Sequence, residues 1–249
     1  MLELAILSPH RDDAAFSLSI GLFCWSKLPV RLTVVNFFTQ SEYAPHALST
    51  RVSTISAGRK IEDSLALRSI DPLIQVESLD LLDAPLRFGI PVDAISRPET
   101  AALESSAEID GLAACIRRYF TRGLVLAPLA LGDHVDHLAV KRAALANSRH
   151  HKLGFYEDLP YATWTSSSSL CGKVLEAEAH TRVSLRPSII RSSAFAAAHK
   201  RQVIAKYHSQ VNSDGVTAIA NYASKYGGGE RVWTPKYGKP WKLLMQYHA

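Results

Sequence analysis

Two short stretches hold the residues whose types and spacing could do chemistry. Ser8-Pro9-His10-Arg11-Asp12-Asp13 sets one imidazole and two carboxylates at the end of the first apolar run. Far downstream, Asp133-His134-Val135-Asp136-His137 adds two more imidazoles and two more carboxylates. Imidazoles with carboxylates suit zinc, and a catalytic zinc keeps one coordination position open for water. His10 and Asp13 lie three positions apart, so a turn entering a helix can aim both at a common point. A further imidazole is then needed, and Asp133, His134, Asp136 and His137 offer the candidates. Residue 137 stands near the start of a helix, much as Asp13 does. With His137 in that role, Asp12 lies beside the metal, placed to take a proton from a water whose pKa zinc lowers toward about 7. His134, as an imidazolium, could stabilise an oxyanion and protonate a leaving amine. Asp136 could hydrogen-bond that imidazole and keep it charged. Such a set hydrolyses an amide. The bland alternative is that Asp12 or Asp13 only caps a helix, and the paired downstream cluster argues against it.

The elements that must position these residues read as alternating strands and helices. Residues 2–7 form a near-continuous apolar run, as in a strand buried on both faces, and helix-compatible sequence follows over 14–27. Strands over 31–38, 73–82, 123–128 and 152–157 alternate with helices over 51–68, 100–120 and 137–148. Residues 40–49 read as a loop and candidate pocket rim, and 87–99 as an excursion punctuated by Gly89, Pro91 and Pro98. This alternation predicts an α/β fold with a mostly parallel sheet flanked by helices. Both polar clusters then follow strand ends, where sites form in such sheets. Beyond Pro160 the pattern changes. A Ser/Thr-rich loop over 163–169, a strand over 183–190, helices over 194–210 and 215–226, and a short strand over 230–234 are expected. With no linker and no repeat, the expectation is a single domain over 1–249, with a core of about 2–160 and a C-terminal elaboration of about 161–249.

The 249 residues are 47% hydrophobic and 20% charged, ample for a sizeable core and unlike a disordered chain. Cys24, Cys115 and Cys171 form no CxxC pair, so a reducing, cytoplasmic setting is expected. No secretory leader and no membrane span are read from the sequence. From Lys173 onward 12 Lys and Arg stand against 4 Asp and Glu, whereas the preceding residues carry 16 against 19. That basic third could favour an anionic substrate, with a solvated surface as the plainer explanation. Nucleic-acid binding is not expected, since no recognised module is present.

At the two polar stretches the chain resembles a known family. Pro-His-x-Asp-Asp followed by His-x-Asp-His is similar to the PIG-L/LmbE-like N-acetylglucosaminyl de-N-acetylases. The resemblance implies a Rossmann-like fold, a zinc-dependent reaction and removal of an acyl group from the nitrogen of an amino sugar. It covers residues of about 2–212 in element order. Softer similarities lie at Arg59 and Glu62, Leu82-Asp83-Ala84, Tyr156 to Tyr161, and Ser209-Gln210. By this resemblance His10, Asp13 and His137 hold one Zn2+ per chain, Asp12 is the general base and His134 the acid or oxyanion stabiliser. Arg59, Asp83 and Glu157 are expected at the substrate. The chain departs from the family at Arg11 and Val135, where Pro is usual, and at Ala14, where Glu is usual. None of these is an expected ligand or proton carrier.

The expected function is zinc-dependent removal of an N-acetyl or other N-acyl group from a small-molecule amino sugar or glycoside. One rival is a metal-dependent hydrolase of a non-sugar amide. The other is a non-catalytic Rossmann-like binding module, against which the first strand-helix turn speaks, since it lacks GxGxxG. Another divalent metal and a homo-oligomer both stay open.

Overall fold

The first apolar run forms β1 (Leu2–Ser8), which lies inside a seven-stranded sheet. The computed structural model describes residues 1–148, 151–195 and 197–245. After β1 come α1 (Asp13–Ser26), β2 (Val30–Gln40), α2 (Val52–Ile70), β3 (Gln75–Leu82) and the short α3 (Ala84–Phe88). Then follow α4 (Ser106–Arg122), β4 (Leu124–Pro128), α5 (Val135–Ala146) and β5 (Leu153–Tyr156). The remainder holds α6 (Ser167–Thr181), β6 (Leu185–Ile190), α7 (Ala197–Ile204), α8 (Ser213–Tyr222), β7 (Glu230–Pro235) and α9 (Lys239–Met245).

The strand order is β3-β2-β1-β4-β5-β7-β6. β1 to β5 run parallel, and β7 is antiparallel to both β5 and β6. The chain builds outward from β1 to β3, returns to β4 and builds outward the other way. Between β1 and β4 the order reverses, which in open α/β sheets opens a crevice at the strands' carboxyl ends. β1 pairs with β4, Ile6 beside Leu126, so both polar clusters leave the sheet side by side. The expected mostly parallel α/β sheet is the architecture found.

Helix α1 is apolar nearly all round, and Ala14 to Leu22 are buried. A helix with no solvated stripe must sit inside the molecule. Here α2 and α7 pack against it together with β1, β2 and β7 of the sheet. Its backbone breaks at Leu18 (φ −133°, ψ 19°).

Several elements differ from their expected bounds. α4 starts at Ser106, not residue 100, because Ser105 and Glu108 form a capping box there. α5 starts two residues early, with His134 as its cap. The serine-rich run does not stay a loop: Ser166 accepts from Ser169 N at 3.1 Å and opens α6, which buries Leu170, Val174 and Ala177. The serines hide the helix because they suit a cap as well as a loop. α7 ends at Ile204, six residues short of the expected helix end, and α9 was not expected. Residue 196, within the expected helix 194–210, lies outside the described residues. Among those described, no helix is long and apolar enough to cross a membrane.

Candidate active site

The turn after β1 is closed by its own side chains. Ser8 Oγ donates to His10 O at 2.6 Å and accepts from Ala14 N at 3.1 Å, and His10 N donates to Asp13 Oδ2 at 2.7 Å. The turn after β4 is more strained. Ala130, Gly132 and Asp133 all have left-handed backbones, with φ of 58°, 79° and 57°. A Cβ on Gly132 would lie 2.5 Å from Tyr161 Cδ1, so only glycine lets that ring close over the site. Val135 N donates to Ile95 O at 2.9 Å, using an N–H that the family's usual proline lacks. Arg11, at the other proline position, is buried and turned away toward Ser78, Asp63 and Asp80.

These turns bring His10, Asp13 and His137 together. His10 Nδ1 and His137 Nε2 each lie 3.4 Å from the same oxygen, Asp13 Oδ2. The opposite ring nitrogens are engaged: His10 Nε2 meets Asp136 Oδ2 at 3.0 Å, and His137 Nδ1 meets Asp158 Oδ1 at 2.7 Å. A carboxylate only accepts, so those nitrogens carry the protons and the inward-facing nitrogens present lone pairs in the neutral rings. His137 Nε2 is buried and has no hydrogen-bond partner. Two imidazole lone pairs facing one carboxylate oxygen are a donor set for a cation, and imidazoles backed by carboxylates are how proteins orient metal-binding histidines. The residues fit a divalent metal.

A second group, His10, His134 and Asp136, also has ligand atoms within 4.8 Å of one another. Its donors are already spent. Asp136 accepts from Ala84 N, Arg87 and His10, and His134 Nδ1 accepts from Asp136 N at 3.1 Å.

Electrostatics agree with a site that gathers positive charge. Burial opposes a charge on His10, yet Asp13 and Asp136 outweigh it and push the imidazole up to about 10. Burial raises Asp13, but His137 and His10 outweigh it and hold the carboxyl at about 2.

Asp12 and His134 line the cleft beside this cluster. Burial pushes the Asp12 carboxyl up, while Arg59, with Nη2 at 3.5 Å from Asp12 Oδ1, draws it back. Burial and the neighbouring His10 push His134 well below the usual histidine value. With its Nδ1 accepting an N–H, the His134 proton sits on Nε2. This corrects the expected imidazolium held by Asp136. The Asp136 carboxylate is taken up by His10 Nε2, Ala84 N and Arg87, and it is the Asp136 backbone N–H that bonds to the His134 ring.

The cleft encloses about 170 Å³. Arg59 and Asp83 line it, although Asp83 also caps α3 by accepting from Leu86 N at 3.3 Å. Tyr43 brings the 40–49 loop to its rim. Glu62 accepts from both Ser209 N and Ser209 Oγ, which sets Gln210 against the cleft. Glu157 does not reach it. That carboxylate is buried among Tyr222, Tyr226, Arg231 and Trp233, and accepts from all four. Successive side chains leaving β5 point to opposite sides, so Asp158 serves His137 while Glu157 anchors the C-terminal elaboration. Among the lining residues Arg59 alone is Lys or Arg, so the basic surplus does not enter the cleft. Asp158 was read from the sequence as a pocket residue alongside Glu157, not as the partner of His137, and Arg87 was not singled out. For Asp158 a signal existed in its place at a strand end, whereas Arg87 had none.

The fold and the paired motifs define an α/β chain with a candidate metal-binding site at the carboxyl edge of its sheet. No family model matches the chain. Over 168 residues it is 33% identical to the 2′-N-acetylparomamine deacetylase of Streptomyces fradiae, covering 63% of this chain and 57% of that protein. The chain thus spans little more than half the length of this curated relative. Among solved structures, the zinc-inhibited form of the teicoplanin deacetylase Orf2 superposes with a TM-score of 0.66 at 22% identity, covering 93% of this chain and 97% of that one. The A40926 pseudoaglycone deacetylase Dbv21 gives 0.63 at 23% identity, covering 94% and 96%. These structures establish the fold. The proteins matched are LmbE/PIG-L-type deacetylases, so the resemblance read from the two motifs holds.

Proposed function

We propose that this protein is a zinc-dependent hydrolase that removes an N-acetyl or similar N-acyl group from the amino sugar of a glycoside. The observation that carries it is the convergence of His10 Nδ1 and His137 Nε2 on Asp13 Oδ2, in a cleft that also presents Asp12 and His134. The relatives named for 2′-N-acetylparomamine and teicoplanin favour a sugar amide over a non-sugar amide. The one basic residue lining the cleft faces Asp12, which favours an uncharged or amine-bearing glycoside over an anionic one. We further take residues 1–249 as a single catalytic domain, because β7 of the elaboration pairs with β5 of the core. The three cysteines form no disulfide, in keeping with a reducing cytoplasmic setting.

His10, Asp13 and His137 would hold the ion. When bound, a divalent metal there acts as a Lewis acid and makes water a better nucleophile near neutral pH. Asp12 accepts a proton from the attacking water as its oxygen bonds to the acyl carbon. His134 Nε2–H donates to the carbonyl oxygen as negative charge builds on it, acting as a neutral imidazole. Arg59 keeps the Asp12 carboxylate oriented before the reaction. The proton held by Asp12 then passes to the sugar nitrogen, the C–N bond breaks, and a carboxylic acid and a free amine leave.

An amine-release assay over N-acetylated aminoglycosides, N-acyl glycopeptides, free N-acetyl sugars and simple amides tests this. Amine should appear from the N-acyl amino sugars. Asp12→Asn should lose roughly 10²-fold or more of that rate while retaining metal. Turnover confined to the simple amides would overturn the sugar assignment.

A further inference from the structure

We propose that Arg87 is a positioning residue for the metal-binding imidazole of His10, acting through Asp136. This rests on the metal reading of His10, Asp13 and His137 above. Asp136 is fully buried, and its carboxylate backs His10 Nε2 at 3.0 Å. A buried carboxylate can do this only if it does not rotate. Ala84 N pins Oδ2 at 3.0 Å, and Arg87 Nη2 pins Oδ1 at 3.0 Å while supplying the countercharge.

Arg87 is itself held from several sides. Nη2 also donates to Glu104 Oε1 at 2.9 Å, and Nη1 donates to Leu82 O at 3.2 Å, at the end of β3. The guanidinium lies over the Phe38 ring at 4.3 Å and the Phe88 ring at 4.6 Å. A fork fixed in this way can hold a carboxylate in one rotamer, which a flexible lysine does less well. On the His137 side, Asp158 is pinned by a backbone group, Leu131 N at 3.1 Å. Among the described residues, only the His10 side depends on a cationic side chain from another element. The excursion after β3 thereby gains a purpose: it delivers Arg87 and then Glu104 to the back of the site.

Without Arg87 the Asp136 carboxylate turns more freely, and the His10 ring loses the orientation that aims Nδ1 at the metal position. The test is zinc affinity of the purified full-length protein, stripped and titrated in competition with a chromophoric chelator. Arg87→Met should weaken zinc binding about tenfold or more, and Arg87→Lys should recover part of the loss. In an Asp136→Asn background Arg87→Met should add less than about a twofold further change, because the group it acts through is gone. Arg87→Gln, which retains donors toward Glu104, serves where the methionine variant fails to fold, and the same loss is expected. Zinc affinity within about twofold of wild type in a folded Arg87 variant would overturn the assignment. So would a full additional loss in the Asp136→Asn background. Wild-type protein that binds no zinc would sink the metal reading itself, a result distinguishable from these.

Discussion

Replacing Lys200 by Met should cost the fold about 3–5 kcal/mol, through the break in α1. Lys200 is fully buried and Glu230 is 4% exposed. The break at Leu18 interrupts the helical ladder, and two other elements make good the loss. From α7, Lys200 Nζ donates to Phe16 O at 2.7 Å and pairs with Glu230. From β7, Glu230 Oε2 accepts from Gly21 N at 2.9 Å. Methionine retains most of the packing volume but leaves a buried carboxylate without its cation and the Phe16 carbonyl without its donor. For 249 residues each kcal/mol moves the melting temperature by about 2 °C, so a fall of about 6–10 °C is expected. Thermal melts followed by circular dichroism, with reversibility checked, read this directly. Lys200→Met combined with Glu230→Gln should recover more than half of the loss, because no unpaired charge remains buried. A single variant melting within about 2 °C of wild type would refute the reasoning, as would a double variant that falls as far again.

Two further outcomes follow from residues whose roles the structure separates. Glu157→Gln should lower the melting temperature, because an amide nitrogen then replaces one oxygen and faces two of the four donors, yet leave KM within about twofold of wild type. A raised KM at unchanged stability would return Glu157 to the substrate. Burial pushes the Glu104 carboxyl up from the ordinary 4.5 to about 7, although Arg87 draws it down. Between those values the folded chain retains a proton that the unfolded chain releases, so this group's contribution to stability falls as pH rises through the window. Denaturant titrations across that range should show a shallower fall with pH in Glu104→Gln, and an identical slope would exclude the effect.

The two polar stretches stand out in sequence because metal-binding and proton-moving side chains are scarce in apolar runs, and here they end strands. That much also predicted that the two stretches meet, while His137 as the partner of His10 and Asp13 was implied by the family resemblance. What the stretch 8–13 cannot reveal is which carboxylate backs which ring. Asp136 lies two residues from His134 in the chain, yet its carboxylate reaches His10. Glu157 and Asp158 are neighbours with opposite fates, one anchoring the elaboration and one orienting His137.

Local periodicity determined the alternating strands and helices, since it records which side of each element is apolar. It says nothing of partners that arrive from another element, and this is how Arg87 reaches Asp136, Lys200 reaches the break in α1, and Val135 N finds Ile95 O. By itself the sequence determined the donor atoms and the strand ends that carry them. Tertiary structure alone decided their second partners, because a buried charge or ring takes its countercharge from whatever packs against it, and packing brings together residues far apart in the chain.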